Sequence, residues 1–427
     1  MQTAAVVIWL AMLPFSILLT LATLMLLLFY GLTLSGRNEN EVGSPSSGSH
    51  SFISLPAWYL GAVSLAVAYS TWIFMIDRRP KGYFTGRIRS VWDGSAYSRR
   101  FRQYFPATTV FDVPSLSAKE VLELFQQHEA DENCETALLP ADSAWRKWLA
   151  YNVEPLFPEA MEVRHSTTAA ATSSTASSPS VKSSAATSYL FGMHPHGLFG
   201  FGVWSTWVFS PSSVRQVFRQ FTVTAHTLSV NFRIPLWREF LLSLGFCDVS
   251  RSTLVRLLAA PSSPRSGMVK SRKPAVCVLV PGGAAESVHC TEPRLTLLNR
   301  KGFVRVAITT GSALVPCFTF GETDLYVPLL SHQGRTTAMG ILRWLQKRLG
   351  VGTPIVCGRG VFNYVAGPLP RRGRLTTVIG QPIATVGCNA CDVDRLHGQY
   401  VAAVRALYAK YQALLDPRQV HRDLVVE

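Results

Sequence analysis

Two histidines one residue apart, His194 and His196, flank Pro195 and are followed by Gly197. Histidine is the side chain whose ordinary pKa suits proton removal near neutral pH. Pro195 restricts its own φ and biases His194 toward extended geometry, in which residues i and i+2 share a face. Gly197 lets a helix or a substrate approach closely. The set reads as a placed base, one histidine acting while its twin packs or hydrogen-bonds. A metal pair or two structural histidines are the other readings. No matching ligand cluster accompanies the motif, which weakens metal.

A second constellation is Pro281-Gly282-Gly283-Ala284-Ala285-Glu286-Ser287, a glycine turn ending in a carboxylate. Such a turn exposes backbone N–H groups to a phosphate or an oxyanion. Glu286 could orient a histidine as the carboxylate of a triad does, or simply sit at a helix start. Arg294, Arg300, Lys301 and Arg305 follow, either as a solvated face or as a grip on a phosphorylated ligand. There is no GxSxG elbow, no Walker A loop and no complete GxGxxG. Covalent serine hydrolysis and nucleotide hydrolysis are disfavoured accordingly.

The elements that position these residues alternate. Tyr189 to Met193 reads as a strand ending at the histidines, and Pro274 to Val280 as a buried strand ending at the glycines. Gly302 to Thr310 predicts a helix, Ala313 to Phe320 and Leu375 to Ile379 further strands. Ser115 or Ser117 opens a helix running to Ala130, with Glu120 in its first turn. From Asp392 to Leu415, apolar residues at 393, 396, 400, 404, 407, 411 and 414 form a helical stripe. Strands alternating with helices, with chemistry at strand ends, imply an α/β fold.

Composition points to lipid. The chain is 48% hydrophobic and 16% charged, against about 25% charged for an ordinary soluble domain. Ala4–Leu34 and Leu55–Ile76 carry no charge, and each is long enough to span a bilayer. Asp77 to Arg102 then holds eight Lys/Arg against two Asp, while the linker Ser35–Phe52 holds one Arg against two Glu. The positive-inside rule puts everything after Ile76 in the cytosol, with the two spans either as a crossing hairpin or as one re-entrant hairpin that never fully crosses. The net charge of +15 fits anionic headgroups or a phosphate-bearing substrate, and no basic-aromatic nucleic-acid motif appears. The eight cysteines are scattered and read as free thiols; Cys388 and Cys391 alone have a CxxC spacing, without partners for a zinc site. Ser166 to Ser188 is Ser, Thr or Ala at twenty of 23 positions and reads as a disordered insertion. Ala259 to Lys273 is a second loose piece, rich in Pro, Ser, Arg and Lys.

Taken together, HPHG, PGGAAES, the run from Arg300-Lys301-Gly302-Phe303 to Phe320-Gly321-Glu322, and Gly358 to Tyr364 resemble a known family. They look like the acyl-CoA:diacylglycerol acyltransferases of the second, smaller class, which also holds monoacylglycerol and wax-alcohol acyltransferases. Tyr104-Phe105-Pro106 and Asp394-Arg395-Leu396-His397 match as well, so the resemblance covers Trp92 to Asp416. It implies a glycerolipid-acyltransferase-like α/β domain behind an N-terminal transmembrane helical hairpin. The domains are then 1–76, the hairpin; 77–113, a basic juxtamembrane segment; and 114–427, the cytosolic acyltransferase domain with an insertion at 166–188. Expected surroundings are the endoplasmic reticulum membrane, with multi-pass topology, and the lipid droplet surface.

The activity implied is acyl transfer from acyl-CoA to the free hydroxyl of diacylglycerol, giving triacylglycerol. His196 is then the base, His194 its active-site neighbour and Glu286 the candidate orienting group. Pro195 and Gly197 shape the site, Gly282 and Gly283 offer N–H groups to an oxyanion, and Arg300, Lys301 and Gly302 face the CoA phosphates. No metal or cofactor is implied, acyl-CoA being a substrate. The partners are acyl-CoA, diacylglycerol and membrane lipid, without nucleic acid; a homo-oligomer stays open. Related glycerol-phosphate acyltransferases place an Asp five residues after their catalytic His; here those positions are Phe199 and Phe201. Rival readings are monoacylglycerol or fatty-alcohol acylation, hydrolysis, and a non-catalytic lipid-binding scaffold.

Overall fold

In the computed structural model, the described residues are scattered positions from 3 to 25, then 57–77, 79–81, 95–131, 144–157, 188–209, 212–259, 273–329, 340, 356–361, 366–416 and 422–427. Most of the first expected span lies outside them, as do residues 166–187 of the expected insertion and residues 260–272 of the second loose piece.

A seven-stranded sheet organises the body, with strand order β1-β10-β7-β2-β5-β3-β4. Its members are β1 (Ala107–Phe111), β2 (Tyr189–His194), β3 (Thr222–Thr227), β4 (Phe246–Asp248), β5 (Ala275–Leu279), β7 (Ala313–Phe320) and β10 (Leu375–Ile379). Short ladders join β6 (Arg294–Leu295) to β11 (Val425–Val426), and β8 (Val327–Pro328) to β9 (Val356–Cys357). From β7 through β2, β5 and β3 to β4 every pairing is parallel, while β10 runs antiparallel to β7. Every residue of β2, β5 and β7 is buried. That is why they read as short, unbroken apolar runs: helices cover both faces of a parallel sheet.

The strands and helices expected from periodicity form where expected. The helix Val393–Leu415 buries Val393, Leu396, Tyr400, Val404, Leu407 and Tyr411. Its stripe ends there, because Leu414 is half exposed. Tyr408, on the same helix, stacks on Phe320 of β7 with ring centroids 5.8 Å apart. Of the two candidate caps, Ser117 opens the helix Ala118–Asp131. Its hydroxyl accepts from the Glu120 N–H, and the Glu120 carboxylate accepts from the Ser117 N–H at 2.8 Å.

Two boundaries differ from expectation. The segment expected to be juxtamembrane, 77–113, supplies a Ser95-capped helix, Ala96–Tyr104, and the edge strand β1. The Tyr104 hydroxyl donates to the Pro370 carbonyl at 2.6 Å, and Phe105 packs on Phe201 with centroids 4.7 Å apart. Ser188, expected as the last residue of the insertion, is buried at the start of the sheet. Its hydroxyl accepts from the Ala275 N–H and its carbonyl from the Ala313 N–H, so it belongs to the core.

Within the second expected span, Ala57–Thr71 is α-helical and continues as a π-helical turn, Trp72–Ile76. Among the described residues no helix is long and apolar enough to cross a membrane. Asp77, which ends this run, is ion-paired with the fully buried Arg238, whose guanidinium lies 5.2 Å from the centre of the Trp72 ring. The seven described cysteines are free thiols.

Candidate active site

β2 lies between β5 and β7 and runs parallel to both, so the carboxyl ends of three strands meet on one edge of the sheet. Open α/β sheets hold their ligands at that edge. β2 ends in His194, β5 leads into the Pro281–Gly283 turn and Glu286, and β7 leads into Gly321 and Glu322.

The two histidines sit in different surroundings, and the peptide bond between His194 and Pro195 is cis. His194 is fully buried, with Nε2 3.0 Å from the Tyr400 hydroxyl. That hydroxyl donates to the Gly192 carbonyl at 3.1 Å, so its oxygen accepts from His194 Nε2–H. Nδ1 of His194 is buried with no hydrogen-bond partner, and burial pushes the ring's pKa down to about 3. His194 is therefore a neutral, clamped ring.

His196 is half buried, and its Nδ1 lies 3.0 Å from the Gly197 carbonyl. A carbonyl only accepts, so Nδ1 carries the proton and Nε2 presents a lone pair. Burial lowers the pKa of this ring, opposed by the bond to Gly197. A neutral imidazole with a free Nε2 is the form that takes a proton from a hydroxyl.

Glu286, in the first turn of Ala284–Ser287, meets His196 through the backbone. Its carboxyl accepts from the His196 N–H at 2.8 Å and from the Thr296 N–H at 3.0 Å. The expectation that it orients the imidazole is corrected: it holds the main chain that carries the ring. Burial raises its pKa to about 8 against the pull of those two donors. Gly282 is required beside it, because a Cβ there would collide with the Glu286 carboxyl.

Glu322 does the same from the other side. It accepts from the N–H groups of Phe201 at 3.0 Å and Gly202 at 2.7 Å, and burial likewise raises its pKa to about 8. Phe201 stands five residues after His196, so a buried carboxyl following β7 fixes the backbone at that position. Gly197, at φ 58, packs against the same carboxyl and leaves no room for a side chain. Glu322 and Tyr400 are the site residues that sequence reasoning missed. Phe320-Gly321-Glu322 repeats the grammar of the other carboxylate, a buried strand followed by glycine and Glu, and that was its signal.

The remaining candidates spread outward. The Gly283 N–H is committed to the Val280 carbonyl at 3.1 Å, which removes it from the pair expected to face an oxyanion. Arg300 is exposed, whereas Lys301 is paired with Asp394 at 2.7 Å. Gly302 opens the helix Gly302–Thr310, and a Cβ there would meet only open space. Among the described residues no cluster of His, Cys, Asp and Glu could hold a metal ion.

Comparison with known proteins gives the family of the chain. The chain is 35% identical over 233 residues to diacylglycerol O-acyltransferase 2B of Umbelopsis ramanniana, covering 52% of this chain and 63% of that protein. It is 33% identical over 229 residues to 2-acylglycerol O-acyltransferase 1 of Bos taurus, covering 52% and 65%. With diacylglycerol O-acyltransferase 2 of Homo sapiens it shares 35% over 234 residues, covering 52% and 56%. The chain thus spans less than two thirds of the length of these relatives. Among solved structures, the crystal structure of a 1-acyl-sn-glycerophosphate acyltransferase from Thermotoga maritima aligns with a TM-score of 0.31 and 9% identity, over 82% of this chain and 92% of that one. The model of the family described as diacylglycerol acyltransferase matches residues 180–426, more than half of the chain and all of β2 through β11, and the protein belongs to that family.

Proposed function

We propose that the protein transfers an acyl group from acyl-CoA to the free hydroxyl of diacylglycerol, giving triacylglycerol and CoA. The observation that carries this reading is the tautomer of His196, with Nδ1–H donated to Gly197 and Nε2 open. Nε2 takes the proton of the acceptor hydroxyl as its oxygen attacks the thioester carbonyl. The tetrahedral oxyanion draws on the Gly282 N–H. Its collapse expels the CoA thiolate, which takes the proton back from His196. Positioned base catalysis of this kind contributes about 10²–10⁴-fold, and holding both lipids adds the proximity term. His194 supports the site as a neutral packing partner clamped by Tyr400. Exposed Arg300 meets the CoA phosphates; Lys301 joins it on leaving Asp394.

The same reading places the chain in the endoplasmic reticulum membrane as a multi-pass protein, and on lipid droplets, with a transmembrane hairpin ahead of a cytosolic body. Its support is the charge step after Ile76, which puts the histidines on the side where acyl-CoA is found. No cofactor beyond the substrate is required.

The test is His196→Ala in membranes given labelled acyl-CoA and diacylglycerol. Triacylglycerol synthesis is expected to fall about a hundredfold or more; undiminished synthesis overturns the base. A second reading, monoacylglycerol as acceptor, draws on the 2-acylglycerol O-acyltransferase relative. Rates on a panel of mono- and diacylglycerols decide between them.

A further inference from the structure

Three large apolar side chains stand exposed on the sheet edge that carries the histidines. β3 runs parallel to β5, and β5 to β2, so the chain leaving β3 at Thr227 emerges on the edge where His194 ends its strand. There Leu228, Val230 and Leu236 are 44%, 50% and 41% exposed. Phe232, between them, is buried and pins the segment to the body. Arg233 beside it is exposed, with no ion pair or hydrogen bond among the described residues.

Two features show that this exposure is built in. Leu236 is the one described non-glycine residue with positive φ, at φ 64 and ψ −49. The Trp237 N–H donates to the Pro235 carbonyl at 2.7 Å across it, closing a γ-turn of the rare, strained hand. Strain of this kind persists where surrounding structure enforces it. Two residues on, Arg238 is fully buried and ion-paired with Asp77, at the end of the apolar run Ala57–Ile76. That run exposes Leu65, Val67, Met75 and Ile76 by 58–80%. A helix apolar on all sides is either buried in a protein core or solvated by lipid, and this one is exposed. The exposed segment is thus bolted to the end of that exposed apolar run.

We infer that Leu228–Leu236 is a membrane-embedded lip that seats the histidine edge of the sheet on the bilayer surface. Its leucines and valine enter the acyl-chain boundary, and Arg233 meets a headgroup phosphate. A long-chain acceptor then reaches His196 from lipid without crossing water. This inference rests on the acyltransferase reading for its purpose, though not for its geometry.

The test uses the full chain in vesicles of phosphatidylcholine with phosphatidylserine. Val230→Cys carries a polarity-sensitive fluorophore, with Cys134, Cys357, Cys388 and Cys391 replaced by Ser. Quenching by a nitroxide on the lipid acyl chains is expected, with little quenching by a water-soluble nitroxide. A label reached from water, or shielded from both quenchers as by a protein partner, overturns the lip. Separately, the double variant Leu228→Asp/Val230→Asp is expected to raise the apparent KM for bilayer-dissolved diacylglycerol about tenfold. Transfer to a water-soluble short-chain diacylglycerol stays unchanged; an equal loss with both acceptors overturns the proposal. Failure of the acyltransferase reading looks different: the label is quenched from lipid, yet the unmodified protein acylates neither acceptor.

Discussion

Glu286 and Glu322 are buried carboxyls that each accept two backbone N–H groups, and between them they hold the chain on either side of the His196 ring. Neither bonds to the imidazole itself. A carboxylate that orients a catalytic ring works through its charge, and its amide replacement costs about 10⁴ in kcat where that has been measured in a serine protease triad. One that holds main chain needs only acceptor oxygen. Glu286→Gln keeps one acceptor oxygen for the His196 N–H, with its NH2 set against the Thr296 N–H, and is expected to retain about a tenth or more of wild-type kcat, whereas Glu286→Ala loses most of it by leaving both N–H groups without a partner. Steady-state rates of the two variants decide; a Gln variant as inactive as the Ala variant refutes the backbone role.

At the scale of elements, the site is where one long helix meets one central strand. Tyr400 of Val393–Leu415 touches both the Gly192 carbonyl and His194 Nε2 of β2, and its ring packs on Phe303 at 4.9 Å. Gly192 is needed because a Cβ there would strike the Tyr400 hydroxyl. Tyr400→Phe removes the hydroxyl and leaves buried polar groups unpaired, which destabilises the fold by about 1–3 kcal/mol. Denaturant unfolding should show that loss while the pH profile of acyl transfer keeps its midpoint; a shifted midpoint assigns Tyr400 and His194 to the proton path instead. The strands β2, β5 and β7 and the long helix were legible in sequence, because apolar runs and a 3.6-residue stripe are local signals. The pairing of His194 with Tyr400 spans 206 residues, and that of Phe201 with Glu322 spans 121. No local period links such residues, so the partners appear only once the sheet brings the strand ends together.

For the whole molecule, buried titratable groups set the pH of greatest stability. Glu286 and Glu322 keep their protons to about pH 8 in the fold, against a reference value of 4.5. The unfolded chain has already released them, so their contribution to stability falls as pH rises from 4.5 to 8. His194 and His226 act in the opposite sense, with folded pKa values of about 3 and about 4 against 6.5. The unfolded chain protonates them below pH 6.5, and stability falls as pH drops further. Stability is therefore expected to peak between pH 4.5 and 6.5 and to decline toward pH 8. In thermal unfolding scans, Glu286→Gln/Glu322→Gln should flatten the decline on the alkaline side; an unchanged slope refutes the assignment.

Ser188 ties the first residues of three central strands together at the sheet edge opposite His196, by its hydroxyl to Ala275 and its carbonyl to Ala313. Whatever precedes Ser188 thus joins the body at the far pole from the chemistry. Phe157 and Tyr189 pack with ring centroids 5.5 Å apart, so both chain ends that flank residues 158–187 are held at that pole, and a reporter spliced between them is expected to leave the rate of acyl transfer unchanged.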